Sequence, residues 1–188
     1  MGRYRIHCLI RMYIRQKFSL FHFFTILWVA DMVAFPLIMC VKEAWLPWMI
    51  SSCVILQATV SLMIFFNYGK KPFIYGIVTI ILFTYFIELI GTKTGIPFGK
   101  YEYTDKLQPI LFGVPILIPF AWLMMLIPSW AVTNIILSYY FPLVSKPFSI
   151  FQPFLAGFVF TAWDFYLDPQ MIAWGVWRWD SVSGYFGI

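Results

Sequence analysis

The chain has 188 residues, of which 62% are hydrophobic, 22% aromatic and only 11% charged, with a formal net charge of +5. Soluble domains carry about a quarter charged residues, so this composition excludes an ordinary water-soluble fold. It predicts one integral membrane domain over residues 1–188.

The positive balance carries no nucleic-acid signal, because Arg3, Arg5, Arg11, Arg15 and Lys17 gather just before the first apolar run. Such a cluster anchors a first membrane helix on the cytoplasmic side. That run extends from Phe18 to about Val41. A signal-peptide core is roughly 7–15 residues long and ends at a small-residue cleavage site, and no clear site follows here. Cys8, Cys40 and Cys53 form no C-x-x-C pair. They read as small buried hydrophobes rather than as disulfide or zinc ligands.

A bilayer core takes about 20 apolar residues per helix. Runs of that kind fall at 18–41, 44–67, 73–90, 110–127 and 148–168. Lys42 and Glu43 mark the first turn, and "YGKKP" (68–72) marks the second. The third connector, "GTKTGIPFGKYEYTDKL" (91–107), is longer and more polar than a plain turn. Between Pro128 and Pro142 the segment 129–141 is too short to span, so it reads as an interfacial helix. The predicted architecture is an all-α, polytopic membrane bundle of about five transmembrane helices plus this interfacial helix.

With the N-terminus cytoplasmic, eight cations lie inside (Arg3, Arg5, Arg11, Arg15, Lys17, Lys70, Lys71, Lys146) and five outside (Lys42, Lys93, Lys100, Lys106, Arg178). That bias fits the positive-inside rule. The eight acids avoid the inner face: Asp31 falls within the first span and the rest at or near the outer end. The polar segments 88–108 and 164–188 are therefore expected to meet on one side of the membrane.

Carboxylates within apolar spans are costly and suggest function. Glu88 lies near the end of the third run in "FTYFIELIG", with Thr84 one turn before it. Asp164 and Asp168 in "FTAWDFYLDPQ" are four apart, hence on one helix face. Pro169 is expected to end that helix, which gives Asp168 a competing role as a turn cap. Asp31 stands alone in "WVADMVAF". For each acid the plain alternative is a side chain that reaches the interface or pairs with a cation. Trp177, Arg178, Trp179 and Asp180 cluster near the C-terminus. They suit an interfacial aromatic belt with an Arg178–Asp180 ion pair, or aromatic faces that stabilise a cation.

His7 and His22 are the only histidines, too few for a histidine-rich di-iron site. The chain shows no dinucleotide fingerprint, P-loop or G-x-S-x-G motif. What remains is chemistry by carboxylic acids, Tyr, Arg and aromatic walls, which suits proton transfer onto an apolar substrate.

The segment "ELIGTKTGIPFGKYEYTDKLQPILFGVPILIPFAWLMM" (88–125) resembles the central signature of a family of multi-spanning carotenoid biosynthesis proteins. "DFYLDPQMIAWGVWRWDSVSGYFGI" (164–188) resembles its second signature, in matching order and spacing. The family includes end-group hydratases, such as those making bacterioruberin or hydroxylated monocyclic carotenoids. By match, the family's polar positions fall on Glu88, Thr94, Tyr101, Tyr103, Asp164 and Asp168. The resemblance implies Glu88, Asp164 and Asp168 as catalytic groups, with Asp164 or Glu88 as the acid. It implies Thr94, Tyr101, Tyr103, Trp122, Trp177 and Trp179 around the substrate, and the long connector as a lid. The implied reaction needs no cofactor and no metal. The implied partners are a lipophilic carotenoid, membrane lipid and other enzymes of the pathway, in the cytoplasmic (plasma) membrane of a prokaryote. Members continue past the Gly-Ile pair, so a C-terminally shortened member is expected. A lycopene-type cyclase shares the first protonation and stays open at this level. So do a small-molecule transporter, against which the lack of an inverted repeat weighs, and a non-catalytic pigment-binding subunit.

Overall fold

The computed structural model describes residues 19–39, 43–68, 72–140 and 151–180. Among them are five long helices: α1 (Leu20–Met39), α2 (Leu46–Tyr68), α3 (Pro72–Thr94), α4 (Ile118–Tyr140) and α5 (Phe151–Ala173). Four of these are long and apolar enough to cross a membrane, over Leu20–Ile38, Leu46–Ile64, Tyr75–Thr94 and Ile118–Tyr140. In α5, Asp164 and Asp168 dilute an otherwise apolar sequence. Many large apolar side chains stand exposed on the outside, such as Phe154 and Phe158 on α5 and Leu82 and Phe83 on α3. In water such a surface would be untenable, but against lipid it is the expected one. The all-helical membrane bundle is thus the observed class.

Three boundaries differ from expectation, and two of the differences involve proline. The interfacial helix over 129–141 does not exist as a separate element. It is the second half of α4, which passes straight through Pro128. Proline removes the hydrogen bond to the carbonyl four residues back, here that of Met124. Gln57 Nε2 and Ser61 Oγ of α2 both donate to that carbonyl, at 3.3 and 3.4 Å. Neighbouring helices commonly satisfy backbone groups freed by proline within a membrane. The second difference is α5, which continues beyond Pro169 to Ala173, so Asp168 sits inside a helix and does not cap a turn. The expected span at 110–127 begins only at Ile118, and residues 110–115 form a hairpin instead. Five long helices among the described residues stand where five spans and an interfacial helix were expected, and the two polar segments meet at one end of the bundle through the β1–β4 pair.

α4 is the central element. It packs on α2, α3 and α5, while α1 leans on α2. Ser52 Oγ of α2 donates to both carboxylate oxygens of Asp31 in α1, at 3.1 and 3.0 Å. Asp31 thereby joins two helices. The tightest core lies at one end of the bundle rather than at mid-height. There Leu46, Ile50, Val54 and Ile118 close around Leu107, Val114 and Val176 from the connecting segments.

Those segments carry two short strand pairs, neither predicted from sequence. β1 (Tyr101–Tyr103) pairs antiparallel with β4 (Trp177–Trp179), and β2 (Ile110–Leu111) pairs with β3 (Val114–Pro115). Gly95, at φ 76°, ends α3 by donating its N–H to the Gly91 carbonyl at 2.8 Å. The N-terminal basic cluster, His7, Cys8, Cys40, Lys42, Lys70, Lys71, Lys146 and the stretch 181–188 lie outside the described residues. The charge count behind the orientation rests largely on them.

Candidate active site

Glu88 lies six residues before the end of α3, about 9 Å below it at 1.5 Å per residue. It is 5% exposed. An acid so placed needs donors, and three reach it. Tyr101 Oη donates to Oε2 at 2.5 Å, Tyr103 Oη to the same oxygen at 2.8 Å, and Trp122 Nε1 to Oε1 at 2.9 Å. Glu88 thus ties α3, the connector and α4 together at one point.

Local sequence explains each approach. In a strand, residues i and i+2 face the same way, so "YEY" turns both tyrosines inward and leaves Glu102 exposed. "WRW" does the same on β4, with Arg178 outward. Register sets Tyr101 opposite Trp179, Glu102 opposite Arg178 and Tyr103 opposite Trp177. Arg178 therefore faces Glu102 across the strands, where the sequence suggested Asp180. Ring centroids stand 5.2 Å apart for Tyr101–Trp179 and 5.9 Å for Tyr103–Trp177. Gly91 makes the close approach possible: a Cβ there would meet Tyr101 Oη at 2.8 Å.

The two strands form a lid held by side chains. Thr104 Oγ1 donates to the carbonyls of Gly175 and Val176 at 2.8 and 3.0 Å. Lys106 Nζ donates to the Trp174 carbonyl, at the end of α5 where a cation is favoured.

Beneath the lid is a pocket of about 140 Å³. Its walls are mostly apolar and aromatic, including Val54, Phe98, Trp122, Phe160, Met171 and Trp177. Its polar groups are Glu88, Tyr101, Tyr103, Asp164 and Asp168. The two aspartates lie on one face of α5, Asp168 one turn nearer the lid. Both are half-buried, and among the described residues neither carboxylate has a hydrogen-bond or ion-pair partner. Burial and then the adjacent charge of Glu88 raise the pKa of both tyrosines, so each phenol keeps its proton well above the ordinary tyrosine range.

Eight of the nine catalytic and substrate-contacting residues that the resemblance implies line this one pocket: Glu88, Tyr101, Tyr103, Trp122, Asp164, Asp168, Trp177 and Trp179. Thr94 does not. It is exposed at the end of α3, where its hydroxyl donates to the Ile90 carbonyl and accepts from the Ile96 N–H. Thr84 is buried but bonds back to the Ile80 and Ile81 carbonyls. Phe98 and Met171 fall within the two signature segments but are not singled out there, and Phe160 has no sequence signal, since one more apolar side chain in an apolar helix is not distinctive. The same holds for Ser129 and Thr133, fully buried on α4 with hydroxyls that lack a partner among the described residues.

A family model described as "Carotenoid biosynthesis protein" matches residues 48–188. No curated protein matches the chain. No solved structure matches it either. The matched range contains all eight pocket residues and the lid, and leaves out α1.

Proposed function

The chain belongs to the carotenoid biosynthesis protein family, and on that premise we propose that it hydrates the terminal double bond of a linear carotenoid. One observation carries the reading: two aspartates without partners among the described residues line an apolar, aromatic pocket beneath the β1–β4 strand pair. A pocket of about 140 Å³ suits the end of a long polyene, with the remainder lying along the helices toward lipid.

The roles follow from what each acid touches. Glu88 accepts from three donors and so acts as a positioning residue. Asp164 and Asp168 are left for proton transfer. Asp164, in its protonated form and one turn deeper, gives its proton to the less substituted carbon of the terminal alkene. The C=C π pair forms the new C–H bond and leaves a tertiary carbocation. Aromatic faces of Trp122, Trp177 and Trp179 and the charge of Glu88 stabilise that cation. Water near the lid, oriented by the Asp168 carboxylate, forms the C–O bond and passes a proton to Asp168. Return of this proton to Asp164 closes the cycle. The sum is alkene plus water to tertiary alcohol, with no change of redox state. The same reading puts the protein in the cytoplasmic membrane of a prokaryote.

The test is expression in a lycopene-producing bacterium with mass analysis of the pigments. A product heavier by one water is expected. A pigment of unchanged mass but altered chromatography points to cyclisation and refutes hydration. Unaltered pigment refutes the enzymatic reading on this substrate.

A further inference from the structure

Between the lid and α4 the connector makes the β2–β3 hairpin, which the proposed chemistry does not use. Its position is fixed by a hydrogen bond from Tyr85 Oη to the Leu111 carbonyl at 2.8 Å. Tyr85 lies near the middle of the apolar span Tyr75–Thr94. Lys93 marks the polar end of α3, and Tyr85 is eight residues back, about 12 Å at 1.5 Å per residue. Helical side chains lean toward the helix N-terminus, which here is away from the lid. Tyr85 therefore holds Leu111 at depth and not at the surface. β3 also packs along α3.

At that depth the hairpin shows an apolar tip. Phe112 is 71% exposed and Leu111 44%, whereas the exposed residues of the lid are charged, as with Glu102 and Arg178. The turn has φ 52° at Phe112 and 91° at Gly113, the two-residue turn with both φ positive. Glycine or asparagine normally occupies such positions, and a bulky residue there bears strain. Here the strained position carries an aromatic ring pointed outward.

Non-helical backbone at membrane depth must have its polar groups met. The Leu111 carbonyl is met by Tyr85, and the Pro109 carbonyl by the Ile116 N–H at 3.0 Å. Pro109 and Pro115 have no N–H to leave bare.

We propose that the β2–β3 hairpin is a re-entrant membrane element whose Leu111–Phe112 tip contacts lipid acyl chains in the leaflet at the lid end. This does not depend on the hydratase reading, since it concerns where the hairpin lies and not what the pocket does.

The experiment uses the full chain reconstituted in phosphatidylcholine vesicles, with Cys8, Cys40 and Cys53 replaced by alanine. A single cysteine is then placed by Phe112→Cys, Leu111→Cys or Glu102→Cys and labelled with an environment-sensitive fluorophore. Circular dichroism selects preparations with native helix content. The labels at 111 and 112 are expected to be quenched by nitroxides on lipid acyl chains and shielded from aqueous iodide. The label at 102 is expected to show the reverse. Iodide quenching at both 111 and 112 overturns the proposal. Shielding of both from iodide and from lipid nitroxide overturns it too, and identifies a protein cover such as a second copy of the chain.

Discussion

Replacing Gly91 by alanine sets helix propensity against tertiary packing, and the magnitudes separate them. In a helix interior, alanine is favoured over glycine by about 1 kcal/mol, so local reasoning expects stabilisation. The structure expects the opposite. The new Cβ falls 2.8 Å from Tyr101 Oη and 3.3 Å from its Cε1. The ring must move, and Glu88 loses one of its three donors. A hydrogen bond to a charged group is worth about 1.5–3 kcal/mol, and overpacking a tight site costs about 1–3 kcal/mol. Less the propensity gain, the net is a destabilisation of about 1.5–5 kcal/mol. The assay is reversible unfolding in mixed detergent of Gly91→Ala, Tyr101→Phe and the double variant. With the hydroxyl gone the clash largely disappears, so the two changes should couple by about 1–3 kcal/mol. Stabilisation by Gly91→Ala in the wild-type background, or simple additivity, refutes the placement of Tyr101 against α3 and with it the Glu88 cluster.

Four other outcomes are expected. Asp164→Asn keeps shape and hydrogen bonding but has no proton to give, so product per folded protein should fall by about 10²–10⁴-fold. Near-normal turnover in both Asp164→Asn and Asp168→Asn sinks the proton-transfer assignment. Glu88→Gln turns an NH₂ toward groups that donate, so it should cost about 1–3 kcal/mol of stability as well as product. A fully stable Glu88→Gln variant contradicts its positioning role. Ser52→Ala should cost about 0.5–1.5 kcal/mol and leave product per folded protein unchanged, and loss of turnover would draw Asp31 into the site. For pH, Tyr101 and Tyr103 have folded-state pKa values raised above the ordinary tyrosine value. Their contribution is complete below about pH 10 and is lost as pH climbs from there toward the folded-state values. Unfolding free energy should therefore decline at alkaline pH, and less steeply in the Tyr101→Phe, Tyr103→Phe double variant. Equal slopes in the two proteins contradict the buried phenols.

Composition alone determines the membrane class, because so few charged residues cannot cover a protein in water. Apolar run lengths place α1, α2 and α3 within a few residues, since the bilayer sets one length for every crossing. Acids within apolar runs single out Glu88, Asp164 and Asp168 as candidates, along with Asp31, because a carboxylate there is costly. Tertiary structure decides the rest. Pro128 and Pro169 read locally as helix ends, yet both helices continue, and for Pro128 the freed Met124 carbonyl finds donors on α2. The lid arises from pairing between strands about 75 residues apart, a contact that no local period encodes. The separation of roles among the three acids is also tertiary. Each looks alike in sequence, but Glu88 meets two tyrosines and a tryptophan brought in from the connector and α4. Among the described residues Asp164 and Asp168 have no such donors and line the pocket, and the proton-transfer role proposed for them rests on that difference.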